Sequence, residues 1–348
     1  MQYRHKLKGM SAAVQLWIGD DKQGRFIGSN DKAMDSLIYY YEDKNPSVRY
    51  SYHKLFLDNG AYTAVRLNKE LDSERVKDIQ ERIDPDYTIP LDFPFLPGSP
   101  RALMIRQWRA TMKNILDWQE TTTLKGLIPM LHAWSIRSLI ANIKSLQKNA
   151  DTTCIGLGSI VCYGFDKYRG FFGDRQPRRQ LVDMLVTAVQ TIRKHSDFQI
   201  HVAGFGSSPL MLNLGYYCGI SSTDTVGYKR KAAFAKISLP GKSDRHIGRQ
   251  NATWGTRKLN QGERELLEQC RCPICRKDQT LLWKHWKARA IHNKYVLQEE
   301  ERHAKLLIEQ GLDSFEAYVD SIFTGSGLEY LWKYTKLRMR YYPIDHWL

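Results

Sequence analysis

The sequence lacks the features that mark membrane-spanning, secreted and dinucleotide-binding proteins. No apolar run approaches the ~20 residues that cross a bilayer, and no apolar region follows the charges of residues 1–9, unlike a secretory signal. Six cysteines in 348 residues are too few for a disulfide framework. The G-x-G-x-x-G fingerprint, internal repeats and low-complexity tracts are also absent. These absences predict a cytoplasmic, globular protein with no membrane partner.

What the sequence has in excess is positive charge. Lys and Arg number 52 against 37 Asp and Glu, which gives a formal net charge of +15. Such an excess indicates a polyanionic partner, most often nucleic acid, although a solvated basic surface is the alternative. Hydrophobic residues make up 42% of the chain, which supports a sizeable core and excludes global disorder.

From about residue 52 onward, short apolar runs alternate with longer amphipathic stretches. The predicted strands are residues 54–57, 87–91, 126–131, 153–157 and 199–203. The predicted helices are residues 73–82, 101–120, 135–148, 180–195 and 209–217, and a long helical tail is predicted from 278 to about 323. Strands that alternate with helices indicate βαβ units and a parallel sheet, either open and doubly wound or closed into a barrel.

A polar residue or a glycine stands at the end of each predicted strand. These residues are Asp58, Asp92, His132, Gly158 and Gly204, and Asp224 follows a further short segment. A (β/α)8 barrel builds its active site from the ends of several strands, whereas a doubly wound sheet concentrates such residues at one switch point. The sequence therefore favours an α/β fold of the (β/α)8 TIM-barrel class.

Three of the six cysteines are crowded into Cys270-Arg-Cys272-Pro-Ile-Cys275. A closed structural zinc site takes four ligands in tetrahedral geometry. His292 is the predicted fourth ligand, and His285 is its competitor. We expect one structural Zn²⁺ that stabilises an appendage and takes no part in catalysis; the alternative is a reduced, solvent-facing cysteine loop.

These patterns together predict three regions. Residues 1–50 form an N-terminal segment that leads into the barrel, and residues 51–260 form the catalytic barrel. Residues 261–348 form the zinc-binding subdomain and C-terminal helices.

Several short motifs between residues 54 and 295 carry a family resemblance through their order. They are Leu57-Asp58-Asn59-Gly60-Ala61-Tyr62, Pro90-Leu91-Asp92, Gly156-Leu157-Gly158, His201-Val202-Ala203-Gly204-Phe205-Gly206, Asp224, and the cysteine cluster with His292-Asn293. The ordered set resembles the tRNA-guanine transglycosylase family, and within it the branch that inserts 7-deazaguanines into DNA. The resemblance implies a zinc-bearing (β/α)8 barrel that exchanges bases through a covalent glycosyl-enzyme.

The resemblance also implies a role for each matching residue. Asp224 matches the nucleophile that attacks C1′ of the target nucleoside, and Asp58 matches the general acid/base. Tyr62 matches the aromatic residue that stacks on the base, and Asp92 matches the carboxylate that binds its amino-pyrimidine edge. The predicted base-binding set is completed by His132, Gly158 and Gly204.

Three departures separate this chain from the tRNA enzymes of the family. Asn59-Gly60-Ala61 stands in place of Ser-Gly-Gly, and His132-Ala133 in place of Gln-Gly. Residues 226–230 lack the Pro-Thr-Arg sequence of the tRNA enzymes. The departures favour DNA as the polymer, with a free 7-deazaguanine such as the 7-cyano form as the incoming base and tRNA as the alternative. His132 either donates to the base carbonyl or forms a hydrogen bond inside the barrel rim.

Basic residues near the predicted site are expected to contact the nucleic-acid backbone. They are Lys229, Arg230 and Lys231 after the predicted nucleophile, and Arg178 and Arg179 with Arg169 and Arg175 after Gly158. Lys and Arg hold a strand in register while one base leaves the stack. A homodimer or accessory DNA-modification proteins are further possible partners. The rival from another class is a non-catalytic nucleic-acid-binding subunit, which requires that one of the three aspartates be missing.

Overall fold

A computed structural model describes residues 14–20, 24–95, 99–124, 126–158, 177–248 and 258–341. The chain forms two compact units. The first unit comprises residues 1–18 and 204–333, and the second comprises residues 19–203 and 334–348.

The second unit contains parallel strands that follow one another in chain order. They are β2 (Lys32–Ser36), β3 (Lys54–Asp58), β4 (Tyr87–Thr88), β5 (Met130–Leu131), β6 (Cys154–Leu157) and β7 (Gln199–Val202). Pairing joins β2 to β3, β3 to β4, β5 to β6 and β6 to β7. A parallel bridge between Thr88 and Leu127 joins β4 to the segment that leads into β5. The strand ends named by the sequence therefore follow one another along this part of the sheet.

Helices connect these strands, as parallel pairing requires. They are α1 (Ala61–Arg66), α2 (Ser73–Ile83), α3 (Arg101–Thr121), α4 (Ile136–Asn149) and α5 (Pro177–His195). The side chain of Asp72 accepts a hydrogen bond from Arg75 N and so caps the start of α2. Ser135 and Ser138 form a capping box at the start of α4. These local signals explain why the sequence placed the helices within a few residues of their observed ends.

The first unit contains the parallel pair β1 (Gln15–Gly19) and β8 (Ser222–Thr225), with Trp17 opposite Asp224. Gly19, the last residue of β1, belongs to the second unit. The other elements of the first unit are α6 (Pro209–Cys218), α7 (Gly227–Ala233), β9 (Lys236–Ile237), β10 (Arg245–His246), α8 (Gln261–Glu268), α9 (Pro273–Asp278), α10 (Leu281–Lys284), α11 (Trp286–Gln310) and α12 (Leu312–Phe323). A last helix, α13 (Glu329–Tyr341), belongs to the second unit from Tyr334 onward.

The predicted helical tail of residues 278–323 is divided in the structure. Separate helices α10, α11 and α12 occupy this range. Gly311 lies between the last two with φ +132°, which is outside the helical region, so the helix cannot continue through it. The predicted helical tail is therefore confirmed as a helical region, which is divided into separate helices.

Parallel strands alternating with helices confirm the predicted α/β, TIM-like fold, and a helical C-terminal region follows. Strands β1 and β2 lie within residues 1–50, where the sequence predicted only a segment leading into the barrel. None of the described helices is both long enough and apolar enough to cross a membrane.

Candidate functional site

Asp58, the predicted general acid/base, lies at the end of β3 and is half-buried. Its Oδ1 accepts hydrogen bonds from Gly60 N at 2.7 Å, Ser36 Oγ at 2.9 Å and Leu37 N at 3.3 Å. Gly60 has φ +71°, and a Cβ there would lie 3.0 Å from Ile38 N, so the turn requires glycine. The carboxylate is therefore held in one orientation at the strand end.

Asp92, the predicted reader of the base edge, is buried with 6% of its surface exposed. Its Oδ1 accepts from Asn59 Nδ2 at 2.7 Å, and its Oδ2 lies 2.6 Å from His132 Nε2. The structure thus brings two predicted site residues, Asp92 and His132, into direct contact, and it adds Asn59, which the sequence marked only as a departure from the family.

His132 and Gly158 are close neighbours in the second unit. The His132 ring is buried and packs against Phe95 with ring centroids 5.2 Å apart. A Cβ on Gly158 would lie 2.3 Å from Cε1 of His132, so no larger residue fits there. The backbone of His132 is held by Asn142, whose Nδ2 donates to the His132 carbonyl at 2.7 Å. Glycine at position 158 is therefore what admits the imidazole ring of His132.

Tyr62, the predicted stacking residue, lies in the first turn of α1. Its side chain is 46% exposed, unusually open for an aromatic ring. The helix start is fixed by Asn59, whose Oδ1 accepts from Ala61 N at 2.9 Å.

Asp224, the predicted nucleophile, lies in β8 of the first unit and is half-buried. Its Oδ1 accepts a hydrogen bond from Gly204 N at 2.7 Å. Thr223 Oγ1 accepts from Phe205 N at 3.0 Å and from Gly206 N at 3.1 Å. Gly204 has φ +71°, a conformation that favours glycine. The loop after β7 therefore supplies backbone donors to two successive residues of β8.

The three basic residues after Asp224 differ in their surroundings. Arg230 is exposed, and Lys229 is half-buried. Lys231 Nζ lies 2.7 Å from Asp244 Oδ2 and also donates to the carbonyl of Ser207. Burial lowers the pKa of the Lys231 ammonium, and the Asp244 carboxylate opposes that shift. Lys231 thus has its charge matched within the fold.

The other residues predicted to contact the nucleic-acid backbone are four arginines that follow Gly158 in the chain. Arg178 and Arg179 lie in the first turn of α5, and their side chains lie outside the described part of the chain, as do residues Arg169 and Arg175.

The four predicted metal ligands meet in the first unit. Ligand atoms of Cys270, Cys272, Cys275 and His292 all lie within 4.8 Å of one another. The three sulfurs lie 3.6, 3.5 and 3.5 Å from His292 Nδ1. Tetrahedral zinc with ordinary Zn–S and Zn–N bonds separates such atoms by about 3.6 Å. The cluster can therefore hold a metal ion, and its geometry is consistent with zinc.

Hydrogen bonds with neighbouring groups orient His292 and alter the pKa values of two cysteine thiols. His292 Nε2 lies 2.9 Å from the Ser238 carbonyl, which fixes the proton on Nε2 and turns Nδ1 toward the sulfurs. Hydrogen bonds with Cys270 and Cys275 lower the pKa of the Cys272 thiol, whereas hydrogen bonds with Cys270 and Cys272 raise the pKa of the Cys275 thiol. His285, the competing ligand, is exposed at the start of α11 and is not part of the cluster.

Helix α11 also contacts the segment that follows Asp224. Asn293 Oδ1 accepts from Ser238 N at 2.7 Å, and its Nδ2 donates to the carbonyl of Tyr228 at 3.2 Å. Arg289 Nε donates to the carbonyl of Ala232 at 2.8 Å. The helix that carries the fourth ligand therefore holds the backbone of α7 through buried side chains.

Comparisons with known proteins agree with the ordered motifs. No family model matches the chain. A tRNA-guanine(15) transglycosylase of Thermococcus onnurineus is 25% identical over 272 residues, 73% of this chain and 40% of the relative. Proteins of the same name from Pyrococcus abyssi and Pyrococcus furiosus are 23% and 24% identical over 310 and 316 residues, 84% of this chain and 48% of each relative.

The chain spans less than half the length of these curated relatives. The similarity nevertheless extends over most of this chain. These similarities support the assignment of this chain to the tRNA-guanine transglycosylase family.

Proposed function

We propose that this chain is a base-exchange transglycosylase, which replaces guanine in a polynucleotide by a free 7-deazaguanine base. The observation that carries the proposal is Asp224 in β8, with its carboxylate oriented by the backbone N–H of Gly204. The relatives of this chain are named tRNA-guanine(15) transglycosylases, and these names support a base-exchange reaction for this chain.

The proposed reaction has two displacements at one carbon. In the first, an oxygen of the Asp224 carboxylate attacks C1′ of the target nucleoside, and the C1′–N9 bond breaks. Asp58 gives a proton to the departing guanine, which leaves as the neutral base. In the second, Asp58 takes a proton from the incoming 7-deazaguanine, whose nitrogen attacks C1′ and releases Asp224. Two inversions give net retention, and no energy source is consumed.

The second unit carries the side chains proposed to bind the base. Asp92 accepts from the amino-pyrimidine edge, since a carboxylate suits the adjacent N–H donors of guanine. Tyr62 offers an exposed ring for stacking. His132 and Gly158, which lie close together, are proposed to line the base site, and the N–H of Gly204 orients the Asp224 carboxylate.

Two polymers are supported by different observations. The names of the relatives support tRNA. The departures at Asn59, His132 and residues 226–230 support DNA. The excess of positive charge fits either polyanion. Lys229, Arg230 and Lys231 are the predicted nucleic-acid contacts whose side chains the structure describes, and of these Arg230 is exposed.

Cys270, Cys272, Cys275 and His292 are proposed to hold one structural zinc ion. When bound, zinc would link the segment that contains the three cysteines to helix α11. Four protein ligands would leave no open coordination position for a substrate. Through Asn293 and Arg289, the same helix holds the carbonyls of Tyr228 and Ala232. We expect zinc to stabilise this region without taking part in the chemistry.

Incorporation of labelled base tests the proposal. The protein is incubated with labelled guanine or labelled 7-cyano-7-deazaguanine and with duplex DNA or tRNA, and label in the polymer is counted. We expect incorporation into one of the two polymers, and Asp224→Ala should abolish it without loss of bound zinc. Incorporation into neither polymer by zinc-loaded protein would contradict the proposal and favour a non-catalytic binding subunit.

A further inference from the structure

Asn59 is a buried amide whose hydrogen-bonding groups are engaged at three places. Its Nδ2 donates to Asp92 Oδ1 at 2.7 Å and to the Pro90 carbonyl at 2.8 Å. Its Oδ1 accepts from Ala61 N at 2.9 Å. Only 4% of Asn59 is exposed, so water does not readily replace these partners.

These contacts connect the surroundings of three proposed site residues. Asn59 follows Asp58 directly in the chain, and Ala61 precedes Tyr62 on α1. The third contact reaches Asp92, which lies beyond β4. One side chain therefore joins the segment that carries the acid/base and the stacking ring to the carboxylate proposed to read the base.

The two oxygens of Asp92 have partners on different elements. Oδ1 is held by Asn59 after β3, and Oδ2 pairs with His132 after β5. Contacts at both oxygens fix the plane of the carboxylate, because rotation about its side-chain bonds breaks at least one of them. A serine at position 59 has a single O–H donor and could not donate to both Asp92 and Pro90.

We propose that Asn59 is a positioning residue for base selection, which acts by fixing the orientation of the Asp92 carboxylate. This inference rests on the proposed function, since it assigns base reading to Asp92. Loss of the Asn59 donor weakens binding of the incoming base more than it slows attack by Asp224, because the donor hydrogen bonds of Asn59 go to Asp92 and to the Pro90 carbonyl.

Asn59→Asp is the sharpest variant for testing this role. It keeps the shape of the side chain and the acceptor for Ala61 N, but it removes the donors and places a second carboxylate beside Asp92. Asn59→Ser provides a second variant in case the first does not fold. Asn114→Ser is the matched control, because Asn114 is also a buried amide, and its Nδ2 donates to the carbonyl of Leu91, next to Asp92, rather than to the Asp92 carboxylate.

Two readouts are measured on each zinc-loaded variant: the KM and kcat of base exchange, and the affinity of the free enzyme for guanine by calorimetry. We expect both Asn59 variants to raise KM and the dissociation constant about tenfold or more, as for a lost hydrogen bond to a charged group. We expect kcat at saturating base to stay within about threefold, and the control to keep the affinity of the unaltered protein.

Two results would overturn the inference. One is unchanged affinity for guanine in both Asn59 variants, and the other is a fall in kcat with KM unchanged. Failure of the proposed function has a different signature, namely guanine binding by the unaltered protein without exchange into DNA or tRNA. In that case the calorimetric comparison alone decides the role of Asn59. Absence of guanine binding by the unaltered protein would overturn both.

Discussion

The backbone N–H of Gly204 donates to Oδ1 of Asp224 over 2.7 Å, and Gly204 adopts φ +71° to do so. A left-handed glycine in the loop after β7 thus sets the orientation of the carboxylate in β8. A Cβ at Gly204 would meet no atom within 4 Å. An alanine at this position would therefore strain the backbone conformation without creating a steric clash.

Gly204→Ala is expected to reduce both stability and activity. An alanine at this φ costs about 1–2 kcal/mol, although no clash arises. As the turn relaxes, the N–H moves from Asp224, and we expect kcat to fall about tenfold. Thermal unfolding and exchange kinetics measure the two effects. Gly327→Ala, also in open space but without a positive φ, is the control. Equal behaviour of the two variants would contradict this role of Gly204.

Tyr62→Ala is expected to weaken base binding with little loss of stability. The ring is 46% exposed, so its removal takes little from the core, whereas stacking on a base contributes about 1–3 kcal/mol. We expect the KM for the base to rise about tenfold or more, and Tyr62→Phe to stay close to the unaltered protein. Tyr39→Ala is the control, since Tyr39 is 45% exposed. A similar rise in KM for Tyr39→Ala would contradict a specific stacking role for Tyr62.

Arg230 and Lys231 are expected to respond differently to loss of charge. Arg230 is exposed, so Arg230→Gln should weaken nucleic-acid binding and reduce the slope of log affinity against log salt by about one. Lys231→Gln leaves Asp244 without its ion pair and should mainly lower the melting temperature. Salt titrations of binding and thermal unfolding distinguish the two. A larger change of slope for Lys231→Gln than for Arg230→Gln would contradict this assignment.

Two single-histidine substitutions test the assignment of the fourth metal ligand. His292→Ala should reduce bound zinc well below about one ion per chain and lower the melting temperature, because metal binding contributes to folding. His285→Ala, which alters an exposed residue at the start of the same helix, should retain the metal. Elemental analysis of purified protein measures the content. Full zinc content in the His292 variant would rule out His292 as the fourth ligand.

Local patterns explain what the sequence could predict. Strand and helix positions followed from apolar periodicity and capping residues, and residues 101–120 became α3 at Arg101–Thr121. The cysteine ligands lie within six residues of one another, so their proximity does not depend on the fold. His292 also could be predicted, because helix α11 follows the cysteine cluster closely in the chain, after the two short helices α9 and α10.

Contacts between distant segments explain the rest. Asn59 and His132 lie 33 and 40 residues from Asp92, and their hydrogen bonds depend on strand register and side-chain rotamers that no local pattern specifies. Gly158 was predicted to lie beside a base, and no local pattern indicated that its lack of a Cβ also admits the His132 ring. Strands β1 and β2 were missed because the alternation of apolar runs and amphipathic stretches was recognised only from about residue 52 onward.

The most direct test of the account is the mass of the protein after an acid-quenched reaction with a short guanine-containing oligonucleotide, as DNA and as RNA. We predict a covalent adduct of protein and oligonucleotide that maps to Asp224, disappears on addition of excess guanine, and is absent from Asp224→Asn. An adduct that persists in Asp224→Asn, or base exchange with no adduct at Asp224, would contradict the proposed nucleophile and the mechanism built on it.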